Sequence, residues 1–372
     1  MKLNYTEIYD NIKKINSVND LLYLKILPNI LYNKLIKLII NTIIETKSII
    51  KGSRSLYNTL EKKLFTPNEY KFKDFDIYCM YPDEFYTLLL SKLTSINLEH
   101  IIRKEINPVY SNIDMIYLYN HKFIDLQIID IHKFNIIPKI EIKKVYYLHP
   151  EFMKLDSYFI FSSPILFNIL CINKFLNRIE HIEHEYKYIY TPNSLNLKYN
   201  IHINKIKTFK TKCIIIGFKA FNLLYNTNIN IPFLEIISTN PDIEIKHIKT
   251  QININKIEII HGIDYSIDKF YILYHNNEPL VYLYRLYDCK TYINKNNLLI
   301  GTNHLLLYYF NTCIYINKYN TEINSKIVYN ISDHAYNSIL YKLYTRFNKK
   351  INTICIGDLQ PAIIRSILNK KK

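Results

Sequence analysis

Tryptophan is absent from the 372 residues, glycine occurs five times and proline twelve. So little glycine and proline excludes collagen-like repeats and flexible low-complexity linkers. The six cysteines, Cys79, Cys171, Cys213, Cys289, Cys313 and Cys355, form no CxxC pair and no Cys/His cluster at zinc spacing. They read as reduced, mostly buried thiols of an intracellular protein. Long apolar runs are missing too. The most apolar early stretch, Ile26 to Ile50, is broken by Asn29, Asn33, Lys34, Lys37, Asn41 and Glu45. That pattern predicts an amphipathic helix and no membrane span. The opening MKLNYTEIYDNIKK is polar and charged, unlike a signal peptide.

What is abundant is Ile, Asn, Lys and Tyr, the last with 35 copies. All four have AT-rich codons, so part of the bias belongs to a genome. Hydrophobic residues make up 49% and charged residues 22%, the balance of a globular chain. Lys plus Arg exceed Asp plus Glu by 16, which favours a polyanionic partner: nucleic acid, nucleotide or an anionic membrane. Codon bias supplies some of that excess.

The length suggests about two domains. The expected organisation is a helical segment over 1–48, a first domain over 49–190, a basic linker over 191–212 and a second domain over 213–372. Strands are predicted at Ile49–Lys51, Lys71–Met80 and His121–Asp130. Ser162-Ser163-Pro164 reads as the start of a helix that runs to about Tyr186, with Ser at the cap and Pro in the first turn.

The chemistry concentrates early. On a strand, residues i and i+2 share a face, so Asp74 and Asp76 project together while Phe75 and Ile77 face the core. Paired carboxylates suit a divalent cation such as Mg²⁺ or Mn²⁺. A solvated strand edge would explain a lone DxD equally well. Asp125, set between Phe123 and Gln127 and opposite the face of Ile124, Leu126 and Ile128, changes that balance. On a neighbouring strand it supplies a third metal ligand, or a base for a hydroxyl. Gly52-Ser53 closes a short apolar strand and opens a helix, where free N–H groups can cradle a phosphate. The order strand, Gly-Ser, helix, DxD strand, later Asp strand fits nucleotidyl transfer. Lys174 and Arg178, at i and i+4, predict a shared basic face that could hold a triphosphate or simply be solvated. His181 and His184 lack a third ligand and read as surface residues.

A faint repeat is also visible. Ile214-Ile215-Ile216-Gly217 echoes Ile49-Ile50-Lys51-Gly52, and Phe233-Leu234-Glu235 echoes Asp74-Phe75-Asp76. In the second copy one carboxylate has become Phe233, as expected of a duplicate that lost its chemistry.

Three stretches, Gly52-Ser53-Arg54-Ser55-Leu56-Tyr57-Asn58, Lys73-Asp74-Phe75-Asp76-Ile77 and Phe123-Ile124-Asp125-Leu126, resemble the catalytic subunit of viral poly(A) polymerases. Leu148 to Asp156, and Glu278 to Leu286 with Leu299-Ile300-Gly301-Thr302, extend the resemblance. It implies an α+β fold, a polymerase-β-like nucleotidyltransferase domain followed by a degenerate nucleotidyltransferase-like domain. It implies ATP and Mg²⁺ (or Mn²⁺), an RNA 3′ end as primer and template-independent AMP addition. By position, Asp74, Asp76 and Asp125 would be catalytic and bind metal, while Gly52, Ser53 and Lys174 would contact the nucleotide. A homodimer, a cap-methyltransferase partner, and a site of action in host cytoplasm or virion follow from the resemblance alone. Two other readings stay open: a catalytically idle RNA-binding or scaffold subunit, and a nucleotidyltransferase with another acceptor.

Overall fold

The computed structural model describes residues 29–61, 74–107, 112–118, 121–164, 172–196, 211–230, 233–261, 269–285, 289–319, 331–347 and 354–357. The predicted helical residues 1–28, the first residues of the predicted strand at 71–73 and most of the basic linker lie outside this set. The chain divides into two compact units. One runs to Met153 and takes in Glu180–Tyr186. The other holds Lys154–Ile179 and the described chain from Lys187 onward.

In the first unit, α1 (Asn29–Glu45) buries Tyr32, Leu35, Ile39 and Ile43, one stripe at helical spacing. The strand β1 (Ile49–Lys51) runs straight into α2 (Gly52–Thr59). Then follow β2 (Phe75–Cys79) and α3 (Pro82–Thr94), whose start carries Pro82, Asp83 and Glu84, suited to a helix N-terminus. Strands β3 (Ile102–Ile106), β4 (Ile113–Leu118) and β5 (His121–Ile128) come next. Helix α4 (Ile131–Ile136) is capped by Asp130, whose carboxylate accepts the Lys133 N–H at 2.7 Å. Strands β6 (Lys139–Ile142) and β7 (Val145–Leu148) complete a seven-stranded sheet of order β3-β4-β5-β2-β1-β7-β6. The sheet is mixed: β2 runs parallel to β5 and β1 to β7, and the other neighbours are antiparallel. Phe75, Ile77, Phe123, Ile124 and Leu126 join the α1 stripe in one hydrophobic core, so the opposite face of β2 and β5 is left for polar groups.

Helix α5 (Pro150–Ser162) ends where the sequence predicted a start. Ser-Ser-Pro is an ambiguous signal, because proline stops a helix as readily as it opens one. Helix α6 spans Ile172–Glu185.

The second unit contains β8 (Ile214–Ile215), α7 (Gly217–Tyr225), β9 (Leu234–Ser238), α8 (Pro241–Gln251), β10 (Lys256–His261), β11 (Lys269–His275), β12 (Glu278–Arg285), β13 (Lys290–Lys295) and β14 (Leu298–Gly301). Helices α9 (Asn303–Tyr319) and α10 (Asp333–Tyr344) and the short β15 (Cys355–Ile356) complete it. Its sheet order is β10-β11-β12-β9-β8-β14-β13-β15. The first seven positions reproduce the first sheet strand for strand, including the parallel pairs β9/β12 and β8/β14. The faint sequence repeat is therefore a repeated topology. The reading of all thiols as reduced is corrected: Cys289 and Cys355 form a disulfide that ties β15 to the start of β13. Cys79 and Cys213 are buried thiols and Cys313 is half-buried, whereas Cys171 lies outside the described residues.

Candidate active site

Three strands place the site in the first unit. Lys51 on β1 pairs with Asp76 on β2, and Asp76 pairs with Asp125 on β5. Directly opposed residues share a face, so all three side chains rise from the same side of the sheet. Asp74, at the entry to β2, joins them. Asp74, Asp76 and Asp125 each offer a carboxylate oxygen within 4.8 Å of the others. The three acids singled out from sequence thus meet at one point. Phe75 and Ile77 face the core, as the alternation required.

Gly52 faces the same cluster. It has φ of +67°, a left-handed conformation in which a side chain is strained. A Cβ there would collide with Asp76 Oδ2. Both constraints require glycine, and together they set the first turn of α2 against the acids. Lys51 at the N-cap makes no side-chain cap hydrogen bond, and the positive end of the α2 dipole lies beside the acids. Half-buried Ser53 is the second residue of that turn. Arg54 anchors the turn to the acid strand: its Nε donates to the Asp74 carbonyl at 3.1 Å, and its guanidinium lies 3.7 Å from the Phe75 ring centroid. Ser55 Oγ donates to the Leu148 carbonyl at 2.7 Å, fastening α2 to β7.

One residue that sequence reasoning missed completes the cluster. Lys122 donates to Asp125 Oδ2 at 2.6 Å and stands 4.0 Å from Asp74 Oδ2. Strict alternation would point Lys122 into the core and Phe123 toward the acids. The pairing of β4 with β5 shifts by one residue between Ile116↔Ile124 and Tyr117↔Lys122. Phe123 is the extra residue, a bulge that turns Lys122 onto the acid face. Phe123 is buried instead, edge-on to Phe75 at 5.7 Å, which corrects its expected placement beside Asp125. Burial pushes the Asp125 carboxyl up to about 6; Lys122 pulls it down and Asp76 pushes it up. Burial also works against the Lys122 ammonium, but Asp125 and Asp74 outweigh it and raise its pKa.

The other expected residues fare differently. Lys174 lies exposed on α6, in the part of that helix that belongs to the second unit. Arg178 is buried, 5.0 Å from the Phe175 ring centroid, so the two do not form one solvated basic face. His181 and His184 belong to no candidate metal cluster among the described residues.

The donor set suits a hard cation. It offers three carboxylates and no sulfur or imidazole, as Mg²⁺ or Mn²⁺ prefers. Asp125 Oδ1 is buried without a hydrogen-bond partner, an oxygen that an ion would satisfy.

The second unit shows the same geometry with its chemistry closed. Gly217 has φ of +63° and lies against Glu235 as Gly52 lies against Asp76. The longer Glu235 reaches the start of α7, where its Oε2 accepts the Phe218 N–H at 3.0 Å, and Tyr309 donates to its Oε1. Its own carboxylate thus fills the first turn of α7. Tyr282 stands opposite Glu235 where the first unit has Asp125.

Fold and site together place Gly52 and three carboxylates on one face of the first of two mixed sheets. Residues 37–166, about a third of the chain and the part that carries Gly52 and all three acids, match the family model described as the poly(A) polymerase catalytic subunit. Among solved structures, the fold is similar to that of the Megavirus polyadenylate synthase, with a TM-score of 0.75 at 16% identity, over 100% of this chain and 83% of that one. No curated protein matches in a sequence search.

Proposed function

We propose that the chain is a template-independent poly(A) polymerase that adds AMP from ATP to RNA 3′ ends. The observation that carries this reading is the convergence of Asp74, Asp76 and Asp125 beside a helix opened by Gly52. The matched family model and the Megavirus enzyme support the acceptor and the nucleotide. Asp74 and Asp76 would bind metal ions and Asp125 would complete the site. Bound there, such ions would supply the positive charge that neutralises the attacking and leaving oxygens. Gly52 and Ser53 would present backbone N–H groups to the triphosphate, and Ser53 a hydroxyl. Asp125 would promote attack by the RNA 3′-hydroxyl, whose proton is drawn off by a general base. The oxygen then bonds to the α-phosphorus, the bond to the bridging oxygen breaks, and pyrophosphate leaves.

A homodimer, a cap-methyltransferase partner, and work in host cytoplasm or virion rest on family resemblance. Among the described residues no helix is long and apolar enough to cross a membrane. The test is incubation of the purified chain with labelled RNA, Mg²⁺ and each NTP in turn, with tRNA as a competing acceptor. Extension of RNA by ATP is the expected result. Preference for tRNA or another nucleotide would move the activity to a different acceptor or base. Binding of RNA without extension would favour the idle-subunit reading.

A further inference from the structure

We propose that Lys122 is the resident counter-cation of the acid cluster. It holds Asp125 and Asp74 in place before divalent ions arrive, and it competes with those ions for the same carboxylates. This rests on the metal-binding reading of the three acids. Its support is geometric. The ammonium stands between Asp125 and Asp74, at 2.6 and 4.0 Å. Its side chain keeps only 18% of its exposure, and these two acids are its ion-pair partners among the described residues. A cation that far out of water needs such pairing. The β5 bulge is what delivers it there, since a regular strand would send Lys122 to the core face.

The consequence follows from charge. Three carboxylates within 4.8 Å repel one another, and Lys122 cancels part of that repulsion in the metal-free protein. An arriving divalent ion meets a like charge already bound to Asp125 Oδ2. Only Asp125 Oδ1 stands open, so the ion must either share Asp125 or push the ammonium aside. Lys122 is thus a positioning residue. It keeps the acids folded into place and sets how tightly metal is held.

The experiment measures Mn²⁺ affinity by calorimetry, with no substrate present, for the wild type and for Lys122→Met, Lys122→Gln and Lys122→Arg. Melting is followed in parallel with and without Ca²⁺. Lys122→Met should bind Mn²⁺ on the order of tenfold more tightly, melt lower without metal, and gain more from Ca²⁺. Lys122→Gln serves if the Met variant does not fold. Lys122→Arg, which keeps the charge, should behave as the wild type does. Equal or weaker Mn²⁺ binding by the neutral variants, or tightening by the Arg variant too, overturns the proposal. Asp76→Asn separates the two readings. If it binds Mn²⁺ like the wild type, or if the wild type binds none, the metal site itself is wrong and Lys122 falls with it. If Asp76→Asn loses Mn²⁺ while the neutral Lys122 variants do not tighten, only the role of Lys122 fails.

Discussion

Asp76 and Glu235 occupy the same place in two copies of one fold. Each sits on the second strand of its repeat, under a glycine with positive φ, opposite the end of the first strand. They differ by one methylene and by what they do. Asp76 stays among carboxylates on an open face. Glu235, 4% exposed, reaches the helix start and is held by the Phe218 N–H and the Tyr309 hydroxyl. The longer Glu235 carboxylate is held at the first turn of its helix.

Glu235 makes the stability of the protein depend on pH. Burial raises its pKa from 4.5 to about 7, against the pull of Tyr309 and the Phe218 N–H. The folded state therefore holds this proton more tightly than the unfolded chain does. Its contribution is fully present below about 4.5 and is lost as pH rises through about 7. Glu235→Gln should remove that slope, flattening the stability profile across this window by on the order of 3 kcal/mol. Chemical denaturation at pH 4.5 and pH 7.5 checks it. An equal slope in both proteins would show that Glu235 does not hold the proton.

Gly52→Ala tests the cradle. A left-handed alanine costs roughly 1–2 kcal/mol, and its methyl would push Asp76 aside. The expected outcome is a folded protein with slightly lowered melting temperature and extension reduced on the order of a hundredfold. Nearly wild-type extension would mean that the turn does not shape the site.

The disulfide closes a loop between Cys289 and Cys355, 66 residues apart, and ties the edge strand β15 to the second sheet. Chain-entropy reasoning gives such a cross-link about 4 kcal/mol. Reduction, or Cys355→Ser, should lower the melting temperature of the second unit. The acid cluster lies in the first unit, so Mn²⁺ binding should be unchanged. A melting curve insensitive to reductant would contradict this.

The sequence made short-range geometry legible. Alternation in Asp74-Phe75-Asp76 needs only neighbouring residues, and so does the strand-to-helix turn at Gly52, which is why both are found where expected. The repeat is visible because Ile214-Ile215-Ile216-Gly217 and Phe233-Leu234-Glu235 keep the order of Ile49-Ile50-Lys51-Gly52 and Asp74-Phe75-Asp76, although the gap shrinks from 24 to 18 residues. What was hidden depends on partners far along the chain. The bulge at Phe123 comes from pairing with β4, so nothing in His121–Ile128 alone reveals that Lys122 faces the acids. The cross-link of Cys289 and Cys355 follows from the placement of β15 beside β13. Arg178 was misread because the guanidinium of a surface-patterned arginine can lie down on Phe175 while Lys174 one turn earlier stays in water.

The central claim is that Asp74, Asp76 and Asp125 act as one metal-binding catalytic group. The most direct measurement is single-turnover transfer of AMP to an RNA primer by Asp76→Asn and Asp125→Asn beside the wild type, with melting recorded for each. Loss of the metal clamp should slow transfer by at least about a thousandfold in both variants, with the fold retained. Transfer at the wild-type rate by either folded variant would contradict it.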